Sequence, residues 1–477
     1  MTSAELLPAQ GILPATTDVL IIGAGPAGLA AAEAAGSAGA AVVVVDEYAR
    51  PGGQYYRESR LAGRLPEGII GSSQRQGREQ LERLSARHVR LFCDTLVWCT
   101  FGGTTVQYVR NGVAGQIEAK AIVLATGAHE RVVPFPGWDL PGVMTAGSAQ
   151  SMLKEQAILP GSRIAISGCG PFLYPVATQL LAAGANVPAI LEAHHDPIWA
   201  LRSPSLYPQI DKYIEALGYL VRLKRHRGAV RFGMSVVEVR GDGRAEEAVI
   251  AKLDRDWREI PGTRETVSVD CVLLNNGFVP NTQVPRLFGC ELEWNSILSS
   301  FSVRRDADQR SSQDLVFVAG EVTGFGGHKV AKAEGFIAGV SAAHAAGSID
   351  AATASRLAAQ SRRVLARDQA FANHVNRTFA VRPGLFDRIR DDTIVCRCEE
   401  VPASAVRKQA RLWEGALRPI KQCTRAGMGQ CQGRMCHPTI AAIAAHESGR
   451  AISELGVDSI RPSVKPVELR DIADLKT

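Results

Sequence analysis

Five of the ten cysteines in this 477-residue chain stand near its C-terminus. Cys396 and Cys398 form a Cys-x-Cys pair, and after 32 intervening residues Cys431 and Cys436 form a Cys-x4-Cys pair. Two loops thus offer four thiolates, enough to hold a small iron–sulfur cluster or one zinc ion. The surroundings are glycine-rich and apolar, which suits iron–sulfur bonding, because backbone N–H groups there are free to donate to sulfide. Structural zinc knuckles more often use two Cys-x2-Cys pairs, a spacing absent here. Ten cysteines are too few for a disulfide scaffold, so their clustering points to metal binding in a reducing compartment.

A second chemistry-bearing group lies near the N-terminus. Gly23-Ala24-Gly25-Pro26-Ala27-Gly28 follows the apolar run Asp18–Ile22 at once, and an alanine-rich helix follows to about Ser37. Gly23 permits a tight turn, Gly25 lets the backbone approach a pyrophosphate, and Gly28 lets helix and strand pack closely. The free N–H groups and positive dipole end of the helix suit phosphates. A further apolar run, Ala41–Val45, ends in Asp46, which can accept from ribose hydroxyls, with Glu47 as the alternative. Strand, triplet, helix, strand and acid together read as a dinucleotide-binding unit.

The same pattern recurs at Arg163–Ser167, followed by Gly168-Cys169-Gly170-Pro171-Phe172-Leu173, a helix to about Ala183 and a strand Val187–Leu191 ending in Glu192. Leu173 stands where the third glycine belongs. Helix–strand packing and pyrophosphate access should both suffer, so this unit reads as a retained scaffold to which NAD(P) is not expected to bind. No Cys-x2-Cys pair lies near either unit, which argues against a disulfide reductase.

Composition sets the outer limits. The chain is 46% hydrophobic and 21% charged, values of a globular protein with large cores, and 46 glycines are high even so. Net charge is +6. The one dense basic run, Arg222, Lys224, Arg225, His226 and Arg227, reads as a solvated edge, so nucleic acid is not expected as a partner. The segment Met1–Pro14 carries Glu5 and no Lys or Arg, unlike a signal peptide, and the most apolar stretch, Val19–Val45, is broken by glycines. A cytoplasmic protein without a transmembrane segment is expected.

From Gly52-Gly53-Gln54 onward the chain resembles the two-dinucleotide-binding-domain flavoproteins, in which a Gly-Gly motif continues the FAD site. Ala125-Thr126-Gly127, after the strand Ala121–Leu124, resembles the same fold's ATG motif. Gly320-Glu321, after the strand Leu315–Ala319, stands where that family places Gly-Asp beside the flavin ribityl chain. A helix from Lys329 to Ala338 would face the flavin pyrimidine, with His328 just before it. The segment Thr424–Cys436 resembles the bacterioferritin-associated-ferredoxin-like [2Fe–2S] domain, a resemblance that makes Cys396, Cys398, Cys431 and Cys436 the ligands and leaves Cys423 spare.

The stretch from Ala125-Thr126-Gly127-Ala128-His129-Glu130-Arg131 to Leu140-Pro141-Gly142-Val143-Met144-Thr145-Ala146-Gly147 is similar to the A (α) subunits of opine oxidases, those of octopine and nopaline. Those are similar in turn to the B chains of hydrogen cyanide synthases and to the α subunits of heteromeric amino-acid dehydrogenases. The resemblance implies an α/β flavoprotein of two Rossmann-like units with a small helical [2Fe–2S] domain. The expected division is an FAD-binding domain over 16–134 and 275–347, an NAD(P)-binding-like domain over 135–274, a connector over 348–390, the [2Fe–2S] domain over 391–455 and a tail over 456–477. It implies FAD and a [2Fe–2S] cluster as cofactors in an electron-transfer subunit. A glycine-oxidase-like flavoprotein β subunit would oxidise the substrate, with a small γ subunit in some complexes and FMN between α and β in others. No substrate apparatus is evident in the chain itself. Two other readings stay open: a self-sufficient NAD(P)H-dependent reductase feeding its own cluster, and an assembly subunit with structural cofactors.

Overall fold

The computed structural model describes residues 11–57, 72–85, 88–196, 218–219, 221–223 and 230–473. Lys224, Arg225, His226 and Arg227 of the basic run lie outside them.

The first unit is built on strand β1 (Thr16–Ile22), helix α1 (Pro26–Ser37) and strand β2 (Val42–Val45), as the apolar runs predict. β3 (Val89–Phe92) extends the parallel sheet beyond β2. On the other side of β1, parallel to it, lies a strand three times as long as expected. This strand, β6 (Val113–Leu124), runs through two environments. Its first half pairs antiparallel with β5 (Thr105–Arg110), itself paired with β4 (Thr95–Thr100). Its last residues lie between β1 and the strand Val316–Val318, both parallel to it. The polar–apolar alternation of Gln116–Lys120 fits the half-exposed antiparallel part, while Ala121–Leu124 is wholly buried. Val19, Leu20 and Ile21 of β1 are completely buried as well, the mark of a central parallel strand covered on both faces.

What covers one face of this sheet is a pair of helices in unusually close contact. Helix Gly327–Ala345 lays Gly335 and Gly339 directly on the backbone of α1. A Cβ added at Gly335 would stand 2.0 Å from the Ala27 carbonyl oxygen, and one at Gly339 would stand 2.2 Å from that of Ala31. The alanines of α1, suited to it by helix propensity and small size, are therefore half of a tight interface. This contact fixes where the N-terminus of α1 points.

The second unit repeats the plan. Five parallel strands run in the order Val230–Phe232, Asn186–Glu192, Arg163–Gly168, Cys271–Asn275 and Val143–Thr145, with a three-stranded antiparallel sheet beside them. Two short antiparallel strands, Ala128–Glu130 and Phe278–Pro280, carry the chain out of the first unit and back. They form a two-stranded hinge.

The charged stretch after Ser348 is a 28-residue helix, Ala351–Thr378, capped by Asp350, whose side chain accepts from Thr353 N at 2.7 Å. Its apolar stripe (Ala354, Leu357, Ala358, Leu365) packs on Ile337 and Val340. Three short helices, Ala403–Leu412, Leu417–Thr424 and His437–Ser448, then close a small core around Val406, Ala410, Ile420 and Ile440. The final segment folds back: Asp458 accepts from Lys421 Nζ at 2.8 Å and pairs with Arg286.

Gly335→Val should force the helix Gly327–Ala345 off α1 and destabilise the fold by about 2 kcal/mol or more. Thermal unfolding with and without FAD checks this, and the FAD-dependent rise in Tm should shrink as the α1 N-terminus shifts.

Candidate functional site

The first glycine-rich turn is held by backbone contacts. Gly23 N donates to Val45 O at 2.8 Å, and a Cβ at Gly28 would stand 1.8 Å from Gly23 O. The predicted Gly52-Gly53 motif closes on this turn: Gly52 N donates to Ala24 O at 2.8 Å, and a Cβ at Gly53 would lie 2.9 Å from Gly25 Cα. No side chain caps α1 after Gly25, and its first turn holds no acid. The open N–H groups of this helix start are therefore available to an anion. This cradle of bare backbone fits a pyrophosphate.

The two candidate ribose acids part company. Asp46 is buried against the turn, where Oδ2 accepts from Ala24 N at 2.6 Å and Oδ1 from Tyr48 N at 2.9 Å. Burial pushes its carboxyl above the usual range, and the two backbone donors oppose that. Glu47 turns to the surface and pairs with Lys465 of the last segment. Only Asp46 stands at the glycine turn.

Ala125-Thr126-Gly127 lies across Gly23, whose added Cβ would meet Ala125 O at 2.4 Å. Thr126 Oγ1 donates to Asn281 O at 2.9 Å, tying the motif to the returning hinge strand. Gln54 and Tyr55 are exposed beyond the Gly-Gly turn, and the Tyr55 ring stacks on His328 at 4.3 Å and 11°. Gly320, at φ +81°, packs against Ala27, so the second flavin motif also meets α1. Next to it Glu334 accepts from Gly320 N at 2.8 Å and Thr323 Oγ1 at 3.0 Å, and its charge is balanced by Arg305. Glu321 follows Gly320 and is half-buried. Burial and the facing Glu334 carboxylate raise its carboxyl to about 7. A half-protonated glutamate can accept from or donate to a ribityl hydroxyl.

The second turn shares the acid but not the helix start. Glu192 Oε2 accepts from Gly170 N and Oε1 from His194 N, both at 3.0 Å, and burial lifts its carboxyl to about 7. The helix begins only at Leu173, the counterpart of Gly28, two residues later than α1 does. Leu173 is wholly buried in the core of this unit. Phe379, at the end of the connector helix, stands against Gly170, 3.8 Å from the position of an added Cβ, and its ring meets His194 at 5.2 Å.

The four C-terminal cysteines come together as a row: Cys436 neighbours both Cys396 and Cys431, and Cys431 also contacts Cys398. The Cys436 thiol, with the Gly427 and Glu399 N–H groups, brings Cys396 down to about 6. The Cys436 thiol and the Met435 and Gly433 N–H groups bring Cys431 to about 5, while burial raises Cys398. Among the described residues no three His, Cys, Asp or Glu side chains are set around one point as a single-ion site. A row of four thiols ringed by N–H donors suits two irons that take two cysteines each. A Cβ at Gly429 would stand 2.2 Å from Cys398 Cβ, which explains the glycine. Cys423 is exposed and outside the row. Cys93 and Cys169 are buried thiols pushed up by desolvation, Cys93 to about 12.

The cluster loop rests on the hinge. His129 Nε2 contacts Arg434 O at 2.8 Å, and Gln283 Nε2 donates to Gln432 O at 3.0 Å. Thr439 Oγ1 donates to Val132 O at 3.3 Å and Trp138 Nε1 to Ile394 O at 2.7 Å. Neither His129 nor Gln283 is legible as an anchor from the sequence. His129 does fall within the stretch that carries the opine-oxidase resemblance, whereas nothing marks Gln283.

A carboxyl raised by the fold stabilises it fully below its unfolded value of about 4.5 and loses that contribution as pH rises through about 7. Glu321→Gln should therefore flatten the fall in Tm of the FAD-free chain between pH 5 and pH 8, leaving the variant more stable than wild type at pH 8. Thermal unfolding across that range checks the sign.

Comparison with known proteins agrees with the site. Residues 17–348 match the pyridine nucleotide-disulphide oxidoreductase family, and residues 394–446 match the BFD-like [2Fe–2S] binding domain. The chain is 35% identical over 472 residues to the opine oxidase A subunit of Rhizobium meliloti, covering 96% of this chain and 87% of that one. It is 32% identical over 422 residues to the HcnB subunit of hydrogen cyanide synthase from Pseudomonas aeruginosa, covering 87% and 90% of the two chains. The solved L-proline dehydrogenase of P. horikoshii shares the fold, with a TM-score of 0.68 at 21% identity over 96% of this chain and 80% of that one. FAD and a [2Fe–2S] cluster are thus the cofactors, and the chain is an oxidoreductase subunit. No helix among the described residues is long and apolar enough to cross a membrane. The chain belongs to the family of opine oxidase A subunits, a pyridine nucleotide-disulphide oxidoreductase fold joined to a BFD-like [2Fe–2S] domain.

Proposed function

We propose that this chain is the electron-transfer subunit of a heteromeric opine or secondary-amine (amino-acid) oxidase or dehydrogenase. A partner flavoprotein subunit of glycine-oxidase-like type oxidises the C–N bond, and hydrolysis of the resulting imine yields a 2-oxo acid and an amino acid. The two electrons pass through this chain to an acceptor. An FMN at the interface with the partner and a small γ subunit complete the assembly in this reading. The relatives support it by name, since the opine oxidase and hydrogen cyanide synthase chains are each called one subunit of an enzyme.

One observation carries the proposal: the Cys431–Cys436 loop is anchored on the strand that leaves the Ala125-Thr126-Gly127 turn. FAD supplies two-electron chemistry and the cluster one-electron chemistry, so their combination converts one into the other. The chain's own part is to hold and tune them. Gly25, Ala27 and Gly28 present open N–H groups to the pyrophosphate, Gly23 shapes the turn, Pro26 starts the helix, and Asp46 stands for the ribose. Gly52, Gly53, Gln54, Ala125, Thr126, Gly127, Gly320, Glu321 and His328 surround the rest of the dinucleotide. Cys396, Cys398, Cys431 and Cys436 hold the cluster. The shortened helix at Leu173, with Phe379 over Gly170, supports a second unit that does not deliver nicotinamide electrons.

The test is an anaerobic visible spectrum of the protein purified with its native partners. Octopine or nopaline should bleach the flavin and iron–sulfur bands when the second flavoprotein subunit is present, and should leave the isolated chain unchanged. Bleaching of the isolated chain by NADH would contradict the proposal.

A further inference from the structure

We propose that His129 is a positioning residue that couples the flavin site to the iron–sulfur cluster, by holding the Arg434 carbonyl of the cluster loop against the hinge. This rests on the relay reading above and names the residue on which its internal step depends.

The geometry is specific. The hydrogen-bond partner of His129 Nε2, at 2.8 Å, is a backbone carbonyl, which can only accept. Nε2 therefore carries the proton, and Nδ1 is the unprotonated nitrogen. Burial, together with the neighbouring Arg434 charge, lowers the imidazole to about 4, so the ring is neutral and keeps this tautomer at neutral pH. Arg434 lies between the ligands Cys431 and Cys436, and Gly127 of the flavin motif lies two residues before His129, about 7 Å of extended chain. The imidazole thus spans the gap between the two cofactor-holding loops. The opposite hinge strand is followed at once by the second anchor, Gln283, which donates to Gln432 O. Cys436 is buried and Cys431 partly so, while Cys398 is exposed. His129 accordingly meets the cluster loop between the two less exposed of these cysteines, away from the solvent-facing end. A leucine there would fill the space but drop the donor. A glutamine could still donate its amide N–H to the same carbonyl.

Electron balance needs nothing at His129 itself. For each electron that leaves the reduced flavin, one ferric iron of the cluster becomes ferrous, and no bond to the imidazole forms or breaks.

The experiment uses the full holo chain as wild type, His129→Leu and His129→Gln. A light pulse with deazariboflavin and a sacrificial donor supplies less than one electron per flavin, and redistribution between the flavin and cluster bands is followed anaerobically. The EPR g values of the reduced cluster are recorded alongside. The expected result is at least tenfold slower redistribution in His129→Leu at unchanged FAD and iron content, with shifted g values. His129→Gln should recover to within threefold of wild type with wild-type g values. Wild-type redistribution in His129→Leu would overturn the proposal. Should His129→Leu lose iron, His129→Gln decides: a tenfold slowing with full iron would overturn it, and a rate within threefold would support it. A wild-type chain that shows no redistribution would contradict the relay itself, and is thereby distinguished from a failure of His129.

Discussion

The three modules meet at one contact, the seating of the Cys431–Cys436 loop on a two-stranded hinge. The strands Ala128–Glu130 and Phe278–Pro280 are the covalent links between the two Rossmann-like units, and links this short would ordinarily let the units move. Here the third module clamps them. His129 and Gln283 hold backbone carbonyls of the loop, and Thr439 and Trp138 add two more hydrogen bonds from either side. Val133, at the exit of the hinge, is part of the same core as Cys396 and Cys436. Cys396 and Cys436 thus share a hydrophobic core with the exit of the hinge.

Around that clamp the fold places its buried charges sparingly. Arg131 is wholly buried and meets no carboxylate among the described residues; it donates instead to the carbonyls of Leu298, Ser299 and Phe278, which pins the loop beside the hinge. Asp46 and Glu192 do parallel work in the two units, each tying a glycine turn to the end of the second strand through two backbone N–H groups. Glu334 does the same for the Gly320 turn, with Arg305 balancing it. Glu321 faces Glu334, and burial together with that neighbour raises its carboxyl to about 7, the value that burial also gives Glu192.

Much of this is legible in the sequence, and the reasons are local. A continuous apolar run that ends in glycines can only be a buried parallel strand feeding a tight turn, so Asp18–Ile22 and Arg163–Ser167 announce both units. The cysteine spacing announces a metal centre, iron–sulfur or zinc, and the resemblance of Thr424–Cys436 to the [2Fe–2S] domain chooses between them. Distance in sequence hides the rest. β6 is three times the length expected because its first half alternates polar and apolar residues and pairs with strands that only the fold brings there. The connector reads as a charged stretch, yet its stripe of Ala354, Leu357, Ala358 and Leu365 makes it a helix docked on another helix. Asp46 and its alternative Glu47 are adjacent in sequence. The fold separates them, Asp46 on the Ala24 and Tyr48 N–H groups and Glu47 on Lys465, more than four hundred residues away. Gln283 carries no motif at all, since its role is set by a carbonyl in another module.

The most direct test of this account is hydrogen exchange at the hinge amides of Ala128–Glu130, Phe278 and Val279. The holo chain would be compared with a Cys396→Ser, Cys431→Ser double variant that carries FAD but no iron. The account predicts slow exchange in the holo chain and markedly faster exchange at both strands once the cluster is gone, with β1 unchanged. Equal protection of the hinge in both proteins would contradict it, because the cluster module would then not be what holds the two units together.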